Sequence, residues 1–158
     1  MNIFVLDNCP EFAAKYQCDK HVVKMVLETA QLLCSAHETA PYKRTHYNHP
    51  CAVWTRSSMG NYDWLVRHGL ALAREYTFRY NKIHKSTEVI EWAWQNKPNI
   101  LDLGLLPFAQ AMPDQYKNPD DAVSAYRNYY MKEKARIATW TKTETPYWYI
   151  VEVLNNVH

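Results

Sequence analysis

His21, Lys24 and Glu28 follow one another at intervals of three and four residues, the spacing that stacks side chains on one face of a helix. Together they supply an imidazole, an ammonium and a carboxylate. Groups of these types within reach of one substrate can work as acid, base or nucleophile once burial and mutual charge adjust their titration. On an ideal helix Gln17, Gln31 and Ser35 share the same stripe, inside an arc of about 80°. Val22, Val23, Val26, Leu27, Ala30 and Leu33 occupy the other side, with Met25 and Leu32 bordering the stripe. An exposed helix shows a wider polar face, so so narrow a line points to a cleft. The plainer alternative is a solvated stripe in which Lys24 and Glu28 form an i, i+4 pair worth ~0.3–0.5 kcal/mol.

A second group lies in the breaker-rich loop from Glu38 to Pro50, which holds Lys43, Arg44, His46, Asn48 and His49. Cys18 with His21, and His46 with His49, have a spacing that a four-ligand zinc site could use. Against this, Cys18 sits among apolar neighbours and no second cysteine pair of finger or ribbon spacing exists, so the expectation is no metal and no cofactor. Asp114 and the Asp120-Asp121 pair are the acidic neighbours that could attract Mg2+, and turn and capping roles explain them as well. Basic residues in the middle and last thirds alternate with Tyr42, Tyr47, Trp54, Tyr62 and the run Tyr147-Trp148-Tyr149, a mixture suited to phosphate contacts and base stacking. Core packing accounts for most of the aromatics. The chain contains no phosphate-binding glycine loop, dinucleotide turn, nucleophile elbow or HExxH.

These residues must be positioned by helices. The chain has 158 residues, 47% hydrophobic and 22% charged, with only 3 glycines, which suits one all-α or mainly α domain and disfavours a turn-rich β fold. Ile3–Leu6 reads as a short strand or extended arm. An Asn8-x-x-Glu11 capping box with Pro10 in the first turn predicts a helix running to about His37. From Pro50 to Tyr80 the apolar spacing predicts one long helix, or two broken near Gly60, and Ser86 opens a shorter helix that ends before Pro98. Four of the 8 prolines fall between Pro98 and Pro119, so 98–118 is expected to be an irregular packed connection. Asn118 and Pro119 predict the start of a last helix running to about Trp140, followed by an aromatic tail over 141–158. The four cysteines are expected to be reduced thiols. No run of ~18 uncharged apolar residues and no signal peptide is present, so a soluble, cytoplasmic protein with no membrane partner is expected. The net charge of +2 means that any nucleic-acid surface must come from local clustering.

The chain resembles uncharacterised small proteins of tailed bacteriophages that share CDKHVVKM, THYNHPCAVW, NYDWL, PFAQAMPDQY and AYRNYY. It also bears a more distant resemblance to the bacteriophage pyrimidine-dimer DNA glycosylase/lyases, which are small, single-domain, helical and basic. That second likeness rests on a His and a Glu seven apart on the first long helix, His21 and Glu28, and on a late basic helix, Lys134 to Trp140, followed by Pro146-Tyr147-Trp148-Tyr149. In that family a glutamate assists chemistry at the deoxyribose while the N-terminal amine attacks C1′ to give an imine, and an aromatic tail contacts DNA. The resemblance therefore implies an acid/base role for Glu28 and a supporting one for His21. It departs at the nucleophile, because Asn2 is large enough that Met1 is expected to be retained, which leaves the Met1 amine, Lys24 or a different chemistry.

The resulting expectation is an enzyme acting on nucleic acid or nucleotides, most concretely an N-glycosylase/lyase for a damaged or modified base. His21, Lys24, Glu28 and His49 are its candidate catalytic residues. Gln31, Lys43, Arg44, His46, Asn48, Trp54, Arg56, Tyr62, Gln110, Arg127, Tyr147 and Trp148 are its candidate binding residues, with Arg56 and Arg127 as phosphate clamps. The alternatives are a protein that binds or hydrolyses a small signalling nucleotide, and a non-enzymatic inhibitor of a host protein. The expected partner is thus DNA or a nucleotide, and the oligomeric state is left open.

Overall fold

In the computed structural model, which describes residues 1–150, the chain folds into α1 (Pro10–Lys15), α2 (Asp19–Cys34), α3 (Pro50–Ser57), α4 (Met59–Tyr80), α5 (Thr87–Gln95) and α6 (Ala122–Glu133). Single 3-10 turns occur at Asp114–Tyr116 and Ala135–Ile137, and no strand is present among the described residues. The helical class read from composition is therefore the observed one. The end of the expected aromatic tail, 151–158, lies outside the described residues. Cys9, Cys18, Cys34 and Cys51 are free thiols. None of the described helices is long and apolar enough to cross a membrane.

The helix expected from Pro10 to His37 is two helices, and the reason lies far away in sequence. Between α1 and α2 the carbonyls of Lys15, Tyr16 and Gln17 leave the helical ladder and are met by Arg79 Nη2 (3.0 Å), Trp140 Nε1 (2.9 Å) and Arg79 Nη1 (2.8 Å). Buried carbonyls need such partners, and here they come from α4 and from the segment after α6. The Asn8–Glu11 capping box does not form either. Cys9 is the N-cap residue without a side-chain cap bond, and its N–H donates to Asp7 Oδ2.

The next break falls at Ser58 rather than at Gly60. Ser58 adopts an extended backbone and its Oγ accepts from the Gly60 N–H, so Gly60 stands inside the first turn of α4. Glycine is needed there because a Cβ would lie 2.4 Å from the Gly104 carbonyl carbon. Further along α4, a Cβ on Gly69 would stand 2.7 Å from Thr29 Cγ2 and 3.0 Å from Ile90 Cδ1, which marks where α2, α4 and α5 press together. The last helix is shorter than expected at both ends. Asp121, not Asn118, is its N-cap, accepting from the Ser124 N–H, and Glu133 closes it before the 3-10 turn.

Two irregular segments complete the frame. Ile3–Leu6 is buried but unpaired with any strand, and Phe4 adopts φ 55°, a left-handed backbone costly for an aromatic residue. Asn2 stabilises the kink, its Oδ1 accepting from the N–H groups of Ile3 (2.8 Å) and Phe4 (3.1 Å). The 98–118 segment is irregular as expected and is held by side chains. Asn61 Oδ1 accepts from the Leu106 N–H, and the Tyr126 hydroxyl donates to the Ala109 carbonyl and accepts from the Ala111 N–H. Asn2 Nδ2 then donates to the Ala111 carbonyl at 2.8 Å, joining the two segments along one wall of a cavity.

Candidate active site

The polar stripe of α2 is not solvated. His21 and Glu28 are buried on the helix, Gln17 and Ser35 are buried just outside its two ends rather than on it, and Lys24 projects well into solvent. His21, Lys24 and Glu28 line an open cavity of about 480 Å3, together with Met1, Asn2, Phe4, His49, Gln110, Tyr129 and Lys134. All four candidate catalytic residues thus meet in one place, and the N-terminal arm brings a fifth group to them.

That group is the α-amine of Met1, which lies 3.3 Å from Glu28 Oε1. The side chains of Met1 and Glu28 are 3% and 8% exposed, so the pair is enclosed on the protein side. The Asn2 N–H donates to the same oxygen at 3.2 Å. The other oxygen, Oε2, is buried with no hydrogen-bond partner, and Lys24 Nζ stands 3.7 Å from it on a side chain 69% exposed. The carboxylate is therefore left with an unused acceptor next to an amine. Its position follows from the kink at Phe4, which turns the first residues of the chain back over α2.

His21 stacks on the Phe4 ring with centroids 4.2 Å apart, and its Nδ1 lies 2.7 Å from the Tyr130 hydroxyl. Burial pushes the imidazole down to about 4, with the charges of Lys134 and Lys24 acting in the same direction, so it is neutral at physiological pH. His49 caps α3, its Nδ1 accepting from the Cys51 N–H at 3.0 Å. Burial, the N-terminal ammonium and His46 lower its pKa, against an opposing pull from Glu28. Tyr129 and Lys134 form the far rim, with Lys134 Nζ 5.2 Å from the Tyr129 ring centroid.

The candidate binding residues scatter more widely. Gln110 lines the cavity, but its amide is held by Asn118, donating to the carbonyl (2.6 Å) and accepting from the N–H (2.9 Å). Gln31 and Lys43 border a separate depression on the α2 flank with Leu27, Tyr42 and Thr45. Arg44 and Arg56 lie over the Tyr47 ring at 4.4 and 3.7 Å, and each donates to a backbone carbonyl of the loop. Their guanidiniums thus organise that loop, where exposed His46 takes φ 52° and exposed Asn48 precedes His49.

Trp54, Tyr62 and Trp148 are core residues and have no face open to a base. Trp54 packs against Trp64 and Phe108, Tyr62 donates to the Ala93 carbonyl, and Trp148 packs on Tyr16 and Tyr130. Arg127 is tied to the Leu6 carbonyl and paired with Asp7 at 3.0 Å, so it fastens the N-terminal arm instead of standing free. Tyr147 is exposed beside it. Cys18, His21, His46 and His49 do not converge, and no group of three or more potential metal ligands occurs among the described residues.

Sequence reasoning did not single out Asn2, Phe4, Tyr129, Tyr130 or Lys117. The tandem tyrosines of AYRNYY were the available signal. Their spacing on α6 sends Tyr130 into the core and Tyr129 to the cavity rim.

Residues 1–88, which carry the amine, the α2 stripe and His49, match the family model described as pyrimidine dimer DNA glycosylase. The chain belongs to the pyrimidine dimer DNA glycosylase family. The match covers more than half of the sequence and stops short of the 98–118 wall and of α6. No curated protein and no solved structure matches this chain at a significant level. Membership makes DNA the substrate class.

Proposed function

We propose that the protein is a DNA N-glycosylase/lyase in which the Met1 α-amine is the nucleophile and Glu28 its proton acceptor. The observation that carries this reading is the enclosed amine–carboxylate contact of 3.3 Å facing the open cavity. Lys24 is the rival nucleophile. It is farther from the carboxylate and extends into solvent, where nothing holds it over the cavity floor.

Chemistry on a base inside a duplex requires the damaged nucleotide to leave the stack and enter the cavity. Glu28 takes one proton from the ammonium. The freed nitrogen bonds to C1′ as the glycosidic C1′–N bond breaks, the base leaving with the bonding pair and accepting the second proton. Glu28 then returns its proton to O4′ while the C1′–O4′ bond opens, and the nitrogen lone pair completes an imine to C1′. Loss of a C2′ proton from that imine expels the 3′ phosphate and cuts the strand. His21 and His49 line the space the sugar would occupy, while Lys24 and Lys134 place positive charge around the mouth and Lys117 is paired with Asp114 at 3.0 Å.

The test is incubation with ultraviolet-irradiated and undamaged duplex DNA. Cleavage confined to the irradiated duplex is the expected result, with binding that weakens steeply between ~50 and ~200 mM salt. Equal cleavage of both duplexes, or of neither, contradicts the proposal.

A further inference from the structure

We propose that Tyr130 is a positioning residue that fixes His21 as a neutral imidazole with its proton on Nε2, so that the ring offers the cavity a hydrogen-bond donor for a substrate oxygen. This inference rests on the glycosylase/lyase reading for the identity of the oxygen, which belongs to the extruded deoxyribose-phosphate, but not for the tautomer itself.

The Tyr130 hydroxyl accepts from the Cys18 N–H at 2.9 Å and lies 2.7 Å from His21 Nδ1, with all three residues buried. A phenol has a single hydrogen to give. If Nδ1 carried a proton, the hydroxyl would accept from two donors and its own hydrogen would point into the core without an acceptor, an arrangement that buried groups avoid. The consistent network runs from the Cys18 N–H to the tyrosine oxygen and from the tyrosine O–H to Nδ1, which leaves the proton on Nε2. Burial raises the Tyr130 hydroxyl well above its usual range, so it keeps the hydrogen it must donate.

The Nε2 edge is the part of the ring left to the cavity that His21 lines. The groups around it, Lys24 and Glu28 on α2, Lys134 beyond α6, and Tyr130 itself, include two cations that disfavour a second proton. His49 on α3 is fixed in the same sense, since its Nδ1 accepts from the Cys51 N–H. The donor is thus set before substrate arrives, and no proton has to be taken from solvent.

The experiment is nitrogen-15 NMR of the full chain labelled at histidine, across pH 5.5–8. The expected spectrum shows His21 Nδ1 in the unprotonated range and Nε2 in the protonated range, unchanged over the series. In Tyr130→Phe the two shifts should move toward the average of both tautomers, and kcat should fall at least ~10-fold with KM held within ~2-fold. Protonated Nδ1 in the wild-type protein, or two protonated nitrogens at pH 7, overturns the inference whether or not the variant folds. A Tyr130→Phe spectrum identical to wild type overturns it as well. The NMR readouts need no substrate, so failure to cleave irradiated DNA with the tautomer as expected counts against the glycosylase reading and not against this one.

Discussion

Helix α2 carries two buried carboxylates, and they live in opposite circumstances. Asp19, in its first turn, accepts from Arg79 Nη1 (3.1 Å), the Thr139 hydroxyl (3.0 Å), the Thr141 hydroxyl (2.7 Å) and the Thr141 N–H (2.9 and 3.1 Å). Burial works against its charge, but the Thr141 and Thr139 hydrogen bonds and the Arg79 guanidinium outweigh it and hold the carboxyl below the usual range. Glu28, nine residues on, has one backbone donor, an amine at 3.3 Å, and an Oε2 with no hydrogen bond. A saturated carboxylate ties helices together. One with acceptor capacity left over, beside an amine and an open cavity, is equipped to move a proton.

Glu28→Gln keeps the shape of the side chain and removes the proton acceptor, so cleavage of irradiated DNA should fall by at least ~10²-fold with the melting temperature little changed. Loss of folding instead would make Glu28 a second Asp19. Asp19→Ala should do the reverse, lowering stability by about 1–3 kcal/mol in urea denaturation because Arg79 Nη1 loses its carboxylate and Glu75 is left as the charged partner of that guanidinium, while the protein that remains folded still cleaves. Acid should act on both regions through histidine. His21 and His68 are both held down to about 4, chiefly by burial. The unfolded chain therefore takes up protons first, so stability present above pH ~6.5 is lost as pH falls toward ~4, by about 2 kcal/mol per histidine at pH 4.5. Urea midpoints at pH 7 and 4.5 check the sign. The smallest effect is expected for Lys24→Ala, a decrease in cleavage of several-fold with a shallower salt dependence, since this side chain adds one charge at the mouth.

Much of this was legible in the sequence because it is local. The narrow polar stripe of α2 is a matter of periodicity, and its enclosure followed from the apolar residues around it. The 98–118 segment declared itself through its prolines. What escaped depends on partners distant in the chain. The break at Tyr16–Cys18 exists because Arg79 and Trp140 satisfy its carbonyls, and the return of Met1 to Glu28 depends on a left-handed Phe4 that Asn2 supports. The aromatics misled for a related reason. Trp54, Tyr62 and Trp148 have the rings that base stacking needs, but the core had the same use for them, and only burial tells the two apart.

Two nitrogens, the Met1 amine and Lys24 Nζ, stand near Glu28, and only one can carry the imine. Borohydride reduction during turnover on irradiated DNA converts the imine into a stable amine link, and peptide mapping locates it. A cross-link is expected on the peptide beginning at Met1, retained in Lys24→Ala and absent in Glu28→Gln. A cross-link on the Lys24 peptide, or efficient cleavage with no cross-link at all, would rule out the Met1 amine as the nucleophile.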